Sequence, residues 1–216
     1  MSGVGTALRS FWATYWILVF IVVGACGYVF VRAFVWEPFR QPSDSMEPTI
    51  TNGSIFMVSK WGYGNNRFFR LELANRPLTA RVERGDLVTF ILPTDSRTQY
   101  MKRVIGLPGD RIEYVDGDLT INGKRVPRRL LAERGGIRVF EERLGDSHRI
   151  LHWPSAPGRS FSGTVPHGHY FMMGDFRDNS RDSRFPEVGY IPAALLSGQV
   201  GWVVYRAPSD YVPDQE

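Results

Sequence analysis

Cysteine is almost absent: Cys26 is the only one in 216 residues. No intrachain disulfide can form, and because Cys26 lies inside a long apolar run it is not a candidate catalytic thiol. Cysteine usage therefore leaves the compartment open. Histidine is also scarce, with His148, His152, His167 and His169. His167 and His169 stand two apart, as on one face of a strand, but nothing supplies the rest of a metal cluster at ligand-like spacing. They read as polar residues at a strand entrance. The sequence holds no G-x-S-x-G elbow, P-loop, dinucleotide fingerprint or S-x-x-K, so any nucleophile works with some other base. A large excess of one charge is missing too. Lys and Arg total 26 against 22 Asp and Glu, a formal charge of +4, with the basic residues scattered. No helix-turn-helix, zinc-finger or aromatic-basic strand signature accompanies that charge, which argues against nucleic acid. A surface near anionic lipid headgroups accounts for it equally well.

Apolar residues are plentiful: 43% of the chain is hydrophobic, enough for a real core in one domain or one domain plus an anchor. The run Phe11 to Val31 carries no charged residue, and about 21 residues at 1.5 Å each reach roughly 31 Å, the thickness of a hydrocarbon core. Phe11, Trp12, Tyr15 and Trp16 crowd one end and Phe34, Trp36 and Phe39 follow the other, as interfacial aromatics do. VGAC before Tyr28 faintly resembles a lipoprotein cleavage box, but the apolar run continues through YVFV and AFVW, which favours a retained anchor over a cleaved leader. Arg9 on one side and Arg32 and Arg40 on the other leave the orientation undecided by charge.

Beyond the anchor the chain reads as antiparallel β. SIFMV, DLVTFIL, RIEYV, LTING, HYFMMGD and GQVGWVVY are strand candidates, separated by Asn52-Gly53, Pro108-Gly109, Asp116-Gly117 and Asn122-Gly123. DRIEYVDGDLTINGK predicts a hairpin through Asp116-Gly117. Only IPAALLSG, Ile191 to Gly198, looks helical. Arg125 to Ser162 has the least regular pattern and is either an extended loop or a β subdomain.

Two stretches suggest chemistry. QPSDSMEPTI sets Ser43 and Ser45 one residue apart just after the anchor. In QYMKRVIGLPGD, alternation puts Lys102 on one strand face with Tyr100 and Val104, an odd place for a charge. Burial there would lower its pKa and leave an amine able to take a proton from a serine; the opposing reading is a solvated edge-strand lysine. KWGYGNNRFF, Lys60 to Phe69, reads either as a patch dipping into the outer leaflet or as ordinary core aromatics.

PSDSMEPT past the anchor, RGDLVTF at 84 to 90, YMKRVIGLPGD at 100 to 110, GHYFMMGDFRDNSRDSR at 168 to 184 and the trailing YIPAALLSGQV occur in that order. Together they resemble bacterial type I signal peptidases, the leader peptidases of the serine-lysine class, over nearly the whole chain outside Arg125 to Ser162. The resemblance implies a mainly β fold, an antiparallel catalytic domain behind a single transmembrane helix. It divides the chain into a cytoplasmic N-terminus (1–10), an anchor (11–35) and an extracytoplasmic peptidase domain (36–216) at the inner membrane. It implies cleavage of signal peptides after small residues of the Ala-x-Ala type, with no cofactor or metal. Preproteins, membrane lipid and the export machinery are the implied partners.

Residue by residue, the resemblance makes Ser45 the nucleophile and Lys102 its base, with the Ser43 hydroxyl and the Ser45 backbone N–H holding the oxyanion. Ser180 would hydrogen-bond or orient Lys102, and Asp182 with Arg184 would brace that loop. Met46 and Tyr100, with Gln41 and Pro42, would line the substrate pocket. Preprotein would add as a strand to backbone near Gln41 to Ser43 and near Gln99 to Lys102. Two positions depart from the family pattern. Asp44 replaces a glycine between the serines, which demands a backbone angle that a non-glycine residue can reach and sets a carboxylate where it would raise the Lys102 pKa. Phe176 replaces a polar residue, so that side chain's hydrogen bond is lost. Rival readings are a peptide-binding β domain without catalysis, which needs neither Lys102 nor Ser180, and a conjugation or pilin-processing peptidase of the same fold. A self-cleaving repressor would carry a DNA-binding domain in place of the span.

Overall fold

The computed structural model describes residues 3–68, 71–75, 77–155, 159–209 and 211. Its helix α1 covers Gly3–Phe34. The apolar stretch Trp12–Phe34, 23 residues long, is the one helix among the described residues long and apolar enough to cross a membrane, and only 6% of it is buried. It ends one turn beyond the charge-free run, where Arg32 meets Glu37 at 3.4 Å.

In chain order the strands are β1 (Trp36–Arg40), β2 (Ile55–Ser59), β3 (Asn65–Phe68), β4 (Leu71–Asn75), β5 (Leu87–Leu92), β6 (Asp95–Gly106), β7 (Arg111–Val115), β8 (Asp118–Ile121), β9 (Lys124–Arg125), β10 (Arg128–Arg134), β11 (Ile137–Leu144), β12 (Asp146–His152), β13 (Phe161–Thr164), β14 (His169–Met173), β15 (Ile191–Pro192) and β16 (Leu196–Tyr205). Seven of them form the main sheet, in the order β1-β2-β16-β5-β6-β14-β15. β5, LVTFIL, is apolar on both faces because it lies inside this sheet.

β6 divides in two. Its first half is half-exposed, while Met101–Gly106 is wholly buried. Along that half Met101, Val104 and Ile105 each enter a different apolar cluster. At the end of β6 a Cβ on Gly106 would lie 2.9 Å from side-chain atoms of Ile112 and Val165, so a larger residue here would have to push its core neighbours aside.

The predicted hairpin is β7–β8, turning at Asp116 (φ 50) and Gly117 (φ 83), the left-handed pair that a two-residue turn requires. Arg125 to Ser162 is largely a β subdomain, the antiparallel sheet β10-β11-β12, with 156–158 outside the described residues. The expected helix over Ile191 to Gly198 is corrected. Only Ala193–Leu195 form a single 3-10 turn, and Leu196 already begins β16. Short apolar runs do not distinguish a helix from a buried strand by period. KWGYGNNRFF divides as well: Tyr63 is a core residue, Lys60 is buried against Glu37 at 2.7 Å, and Trp61 is 77% exposed. Phe69 lies outside the described residues.

Candidate active site

The segment after β1 turns back on itself. Ser43, extended at φ −148° and ψ 161°, opens a 3-10 turn over Asp44–Met46, closed by the Glu47 N–H donating to the Asp44 carbonyl at 2.9 Å. Asp44 therefore needs no left-handed backbone, since the described non-glycine residues with positive φ are Asp116 and Asn122. Gln41 fixes the turn from behind, its Nε2 donating to the Ser43 carbonyl at 2.9 Å and to the Ser43 hydroxyl at 3.2 Å. The Ser43 and Ser45 hydroxyl oxygens are 3.2 Å apart.

Lys102 meets this turn from β6, its Nζ 2.5 Å from the Ser45 Oγ. The solvated edge reading of Lys102 is overturned: β6 lies between β5 and β14, and Lys102 is 4% exposed. Burial lowers its pKa to about 8, against the pull of Asp182 and then Asp175. Asp44 is not among the carboxylates that hold the proton on Lys102. The Lys102 ammonium also stands 5.5 Å from the centre of the Tyr100 ring.

The loop after β14 closes the site. Asp182 is fully buried and accepts from the Gly174 N–H at 3.0 Å and from Arg184 Nε and Nη2 at 2.8 and 2.9 Å. The expected ion pair is thus present. Ser180 differs from expectation: its Oγ is buried and has no hydrogen-bond partner, so the bond to Lys102 is not formed. Ser180 packs instead against Gly174, where an added Cβ would collide with the Ser180 side chain and come within 2.5 Å of the Ser45 carbonyl. The Phe176 N–H donates to that carbonyl at 3.2 Å, tying the loop to the serine turn. The Phe176 ring, a lost polar contact in the sequence reading, is 1% exposed and packs with Val139, Leu151 and Tyr211. It is apolar because the β10-β11-β12 sheet covers it.

A groove of about 330 Å³ runs over Ser45 and Lys102, walled by Phe39, Gln41, Pro42, Ser43, Thr98 to Met101, Asn179 and Arg181. Tyr100, Gln41 and Pro42 reach it as expected. Met46 does not: it is fully buried with Ile50, Phe56 and Met101 beneath the site, and Met101 and Phe39 take its place on the wall. β14 pairs with β6 only from Arg103 onward, through Met173↔Arg103 and Met172↔Val104, so the edge of β6 ahead of Lys102 is open on that side. Gln41, by contrast, has spent its backbone, donating to Ser54 and accepting from Gly53.

Sequence reasoning missed two buried ion pairs. Arg103, the residue after Lys102, holds Asp175 through Nε at 2.8 Å and Nη2 at 2.5 Å, with the Thr49 hydroxyl on the same carboxylate at 2.5 Å. Arg177 is fully buried and grips both oxygens of Glu142 on β11, one at 2.8 Å. The available signal was an arginine beside a buried lysine and a loop, GDFRDNSRDSR, too charged to be solvated on all sides.

A family model described as signal peptidase, peptidase S26, matches residues 12–205, a span that includes Ser45, Lys102 and every wall residue of the groove. The chain belongs to the signal peptidase family, peptidase S26. Signal peptidase I of Pseudomonas aeruginosa is 37% identical over 178 residues, covering 77% of this chain and 61% of that protein. Signal peptidase I of Rickettsia akari is 32% identical over 199 residues, covering 82% and 73%. The chain thus spans about three fifths of the length of the Pseudomonas signal peptidase. A solved signal peptidase I from Enterococcus faecalis is 26% identical, covers 56% of this chain and 98% of its own, and has a TM-score of 0.38.

Proposed function

We propose that this chain is a membrane-anchored serine endopeptidase that removes signal peptides from exported preproteins, cutting after small residues of the Ala-x-Ala type. The observation that carries the reading is a buried lysine amine of lowered pKa, 2.5 Å from a serine hydroxyl that opens onto a groove. In this reading α1 anchors the chain through 11–35, the first ten residues stay in the cytoplasm, and residues from 36 onward work outside the inner membrane. Preproteins, the surrounding lipid and the export machinery are its partners.

The chemistry follows from the side chains. Neutral Lys102 takes the Ser45 proton while Oγ attacks the scissile carbonyl, forming the C–O bond. The developing oxyanion is held by the Ser43 hydroxyl and the Ser45 backbone N–H. Because Gln41 Nε2 already donates to the Ser43 oxygen, the hydroxyl hydrogen of Ser43 is left to point at the oxyanion. Collapse breaks the C–N bond, and protonated Lys102 gives its proton to the leaving amine. Water, deprotonated by the same lysine, then hydrolyses the Ser45 ester and restores both groups. Nucleophile and proton carrier both come from the chain, so the cycle needs no cofactor.

The open edge of β6 before Lys102 supports strand addition by the residues ahead of the cut, with Pro42 and Ser43 rather than Gln41 offering the facing backbone. In this reading Tyr100, Met101 and Phe39, which wall the groove, select for small side chains. The test is cleavage of a preprotein with an Ala-x-Ala site by the full-length protein in detergent. Ser45→Ala and Lys102→Ala are each expected to lower kcat by about 10⁴-fold or more while the protein stays folded. Undiminished cleavage by Lys102→Ala would remove the base from the account.

A further inference from the structure

The segment that follows β16 returns to the serine turn. Ser209 donates its hydroxyl hydrogen to Glu47 Oε2 at 2.9 Å, and Glu47, two residues beyond the nucleophile, is buried. Arg206 Nη1 donates to the Thr49 carbonyl at 2.9 Å, and the Ala207 N–H to the Ser54 hydroxyl at 3.0 Å. The Ser54 carbonyl in turn accepts from the Gln41 N–H at 2.9 Å, and the Gln41 side chain holds Ser43. Tyr211 then sets its ring edge-to-face against Phe176, with the centroids 5.1 Å apart and the planes at 73°.

These contacts close a ring around Ser45. The Phe176 N–H holds the Ser45 carbonyl, Tyr211 packs on the Phe176 ring, and Ser209 holds Glu47 on the far side of the same turn. The turn itself is three residues of 3-10 helix, a short element of poor hydrogen-bond geometry, so its place relative to β6 is set by what grips its ends. None of Arg206, Ala207, Ser209 and Tyr211 is among the described wall residues of the groove. Their contacts therefore bear on the nucleophile rather than on the substrate.

Resting on the serine-lysine peptidase reading, we infer that Ser209 and Tyr211 are positioning residues of the reaction, clamping the serine turn so that the Ser45 hydroxyl stays on the Lys102 amine. Small displacements of a nucleophile slow the chemical step steeply, whereas substrate affinity rests on groove walls that the clamp does not form. Loss of the clamp therefore lowers kcat and spares KM.

The experiment measures kcat and KM on an Ala-x-Ala preprotein in detergent for the full-length wild type, Ser209→Ala, Ser209→Thr, Tyr211→Ala and Tyr211→Phe, each corrected for its folded fraction by thermal unfolding. The two alanine variants are expected to lose about ten- to a hundredfold in kcat with KM within about twofold of wild type. Ser209→Thr keeps the hydroxyl and Tyr211→Phe keeps the ring, so both should retain wild-type kcat. Tyr211→Ala combined with Phe176→Ala should cost no more than the larger single loss, because the two share one contact. Wild-type kcat in both alanine variants, a loss confined to KM, a loss explained by the unfolded fraction, or an equal loss in the conservative variants overturns the inference and leaves the peptidase reading standing. No cleavage by wild type overturns both.

Discussion

Lys102 is costly to bury and is buried anyway. An isolated ammonium in an apolar site loses its hydration, and the site relieves that cost by making the neutral amine accessible, with a pKa of about 8. The surrounding carboxylates restrain the shift rather than cause it: Asp182 is committed to Arg184 and the Gly174 N–H, and Asp175 to Arg103. Asp44 stands outside that balance. Since its backbone is not left-handed, a glycine there relieves no strain and only adds freedom to the unfolded chain. Asp44→Gly is therefore expected to cost about 0.5–1 kcal/mol of stability and to leave kcat/KM within severalfold, with no displacement of its pH profile. Thermal unfolding and a pH series on the variant check this; a large gain in activity would mean that the carboxylate does act on the site.

The small sheet β10-β11-β12 is more than an insertion beside the main one. It supplies Glu142 to buried Arg177, whose carbonyl in turn accepts from Arg184, the partner of Asp182. His152 Nδ1 stands 2.8 Å from Asp178 Oδ2, and the Leu151 N–H donates to the Asp175 carbonyl at 2.9 Å. Removing one member of a buried pair leaves the other charge uncompensated, so Glu142→Gln is expected to cost about 3–5 kcal/mol. Replacing Glu142 and Arg177 together by apolar residues of similar volume should restore most of it. Denaturant unfolding of the single and double variants decides; equal losses in both would assign the effect to packing. Glu142 is held down to about 2 by Arg177 and His148 against the push of burial. A depressed carboxylate stabilises the fold above its ordinary range, and that contribution disappears as pH falls from about 4.5 toward 2.

At the scale of the molecule, the main sheet brings Lys102 of β6 to Ser45, which follows the end of the membrane-length helix α1 at Phe34 by 11 residues. The helix, the β7–β8 hairpin and the main strands were legible because each rests on a local signal: a charge-free run, a left-handed two-residue turn, short apolar segments between breakers. The proximity of Ser45 to Lys102, 57 residues away in sequence, was legible only through the ordered motifs, since no local pattern carries a long-range contact. The Glu142–Arg177 pair and the packing of Phe176 were not legible, because they depend on which surface the irregular segment covers. Met46 was misplaced for a related reason: a residue next to a nucleophile can face the groove or the core, and the 3-10 turn of Asp44–Met46 turned it to the core. The central claim is that neutral Lys102 is the base for Ser45, and the pH dependence of kcat/KM for an Ala-x-Ala preprotein tests it most directly. Protonated lysine is inactive, so activity should rise tenfold per pH unit below the Lys102 pKa, bend near pH 8 and level off above it. A rate already flat from pH 6 to 9, with chemistry limiting, would contradict it.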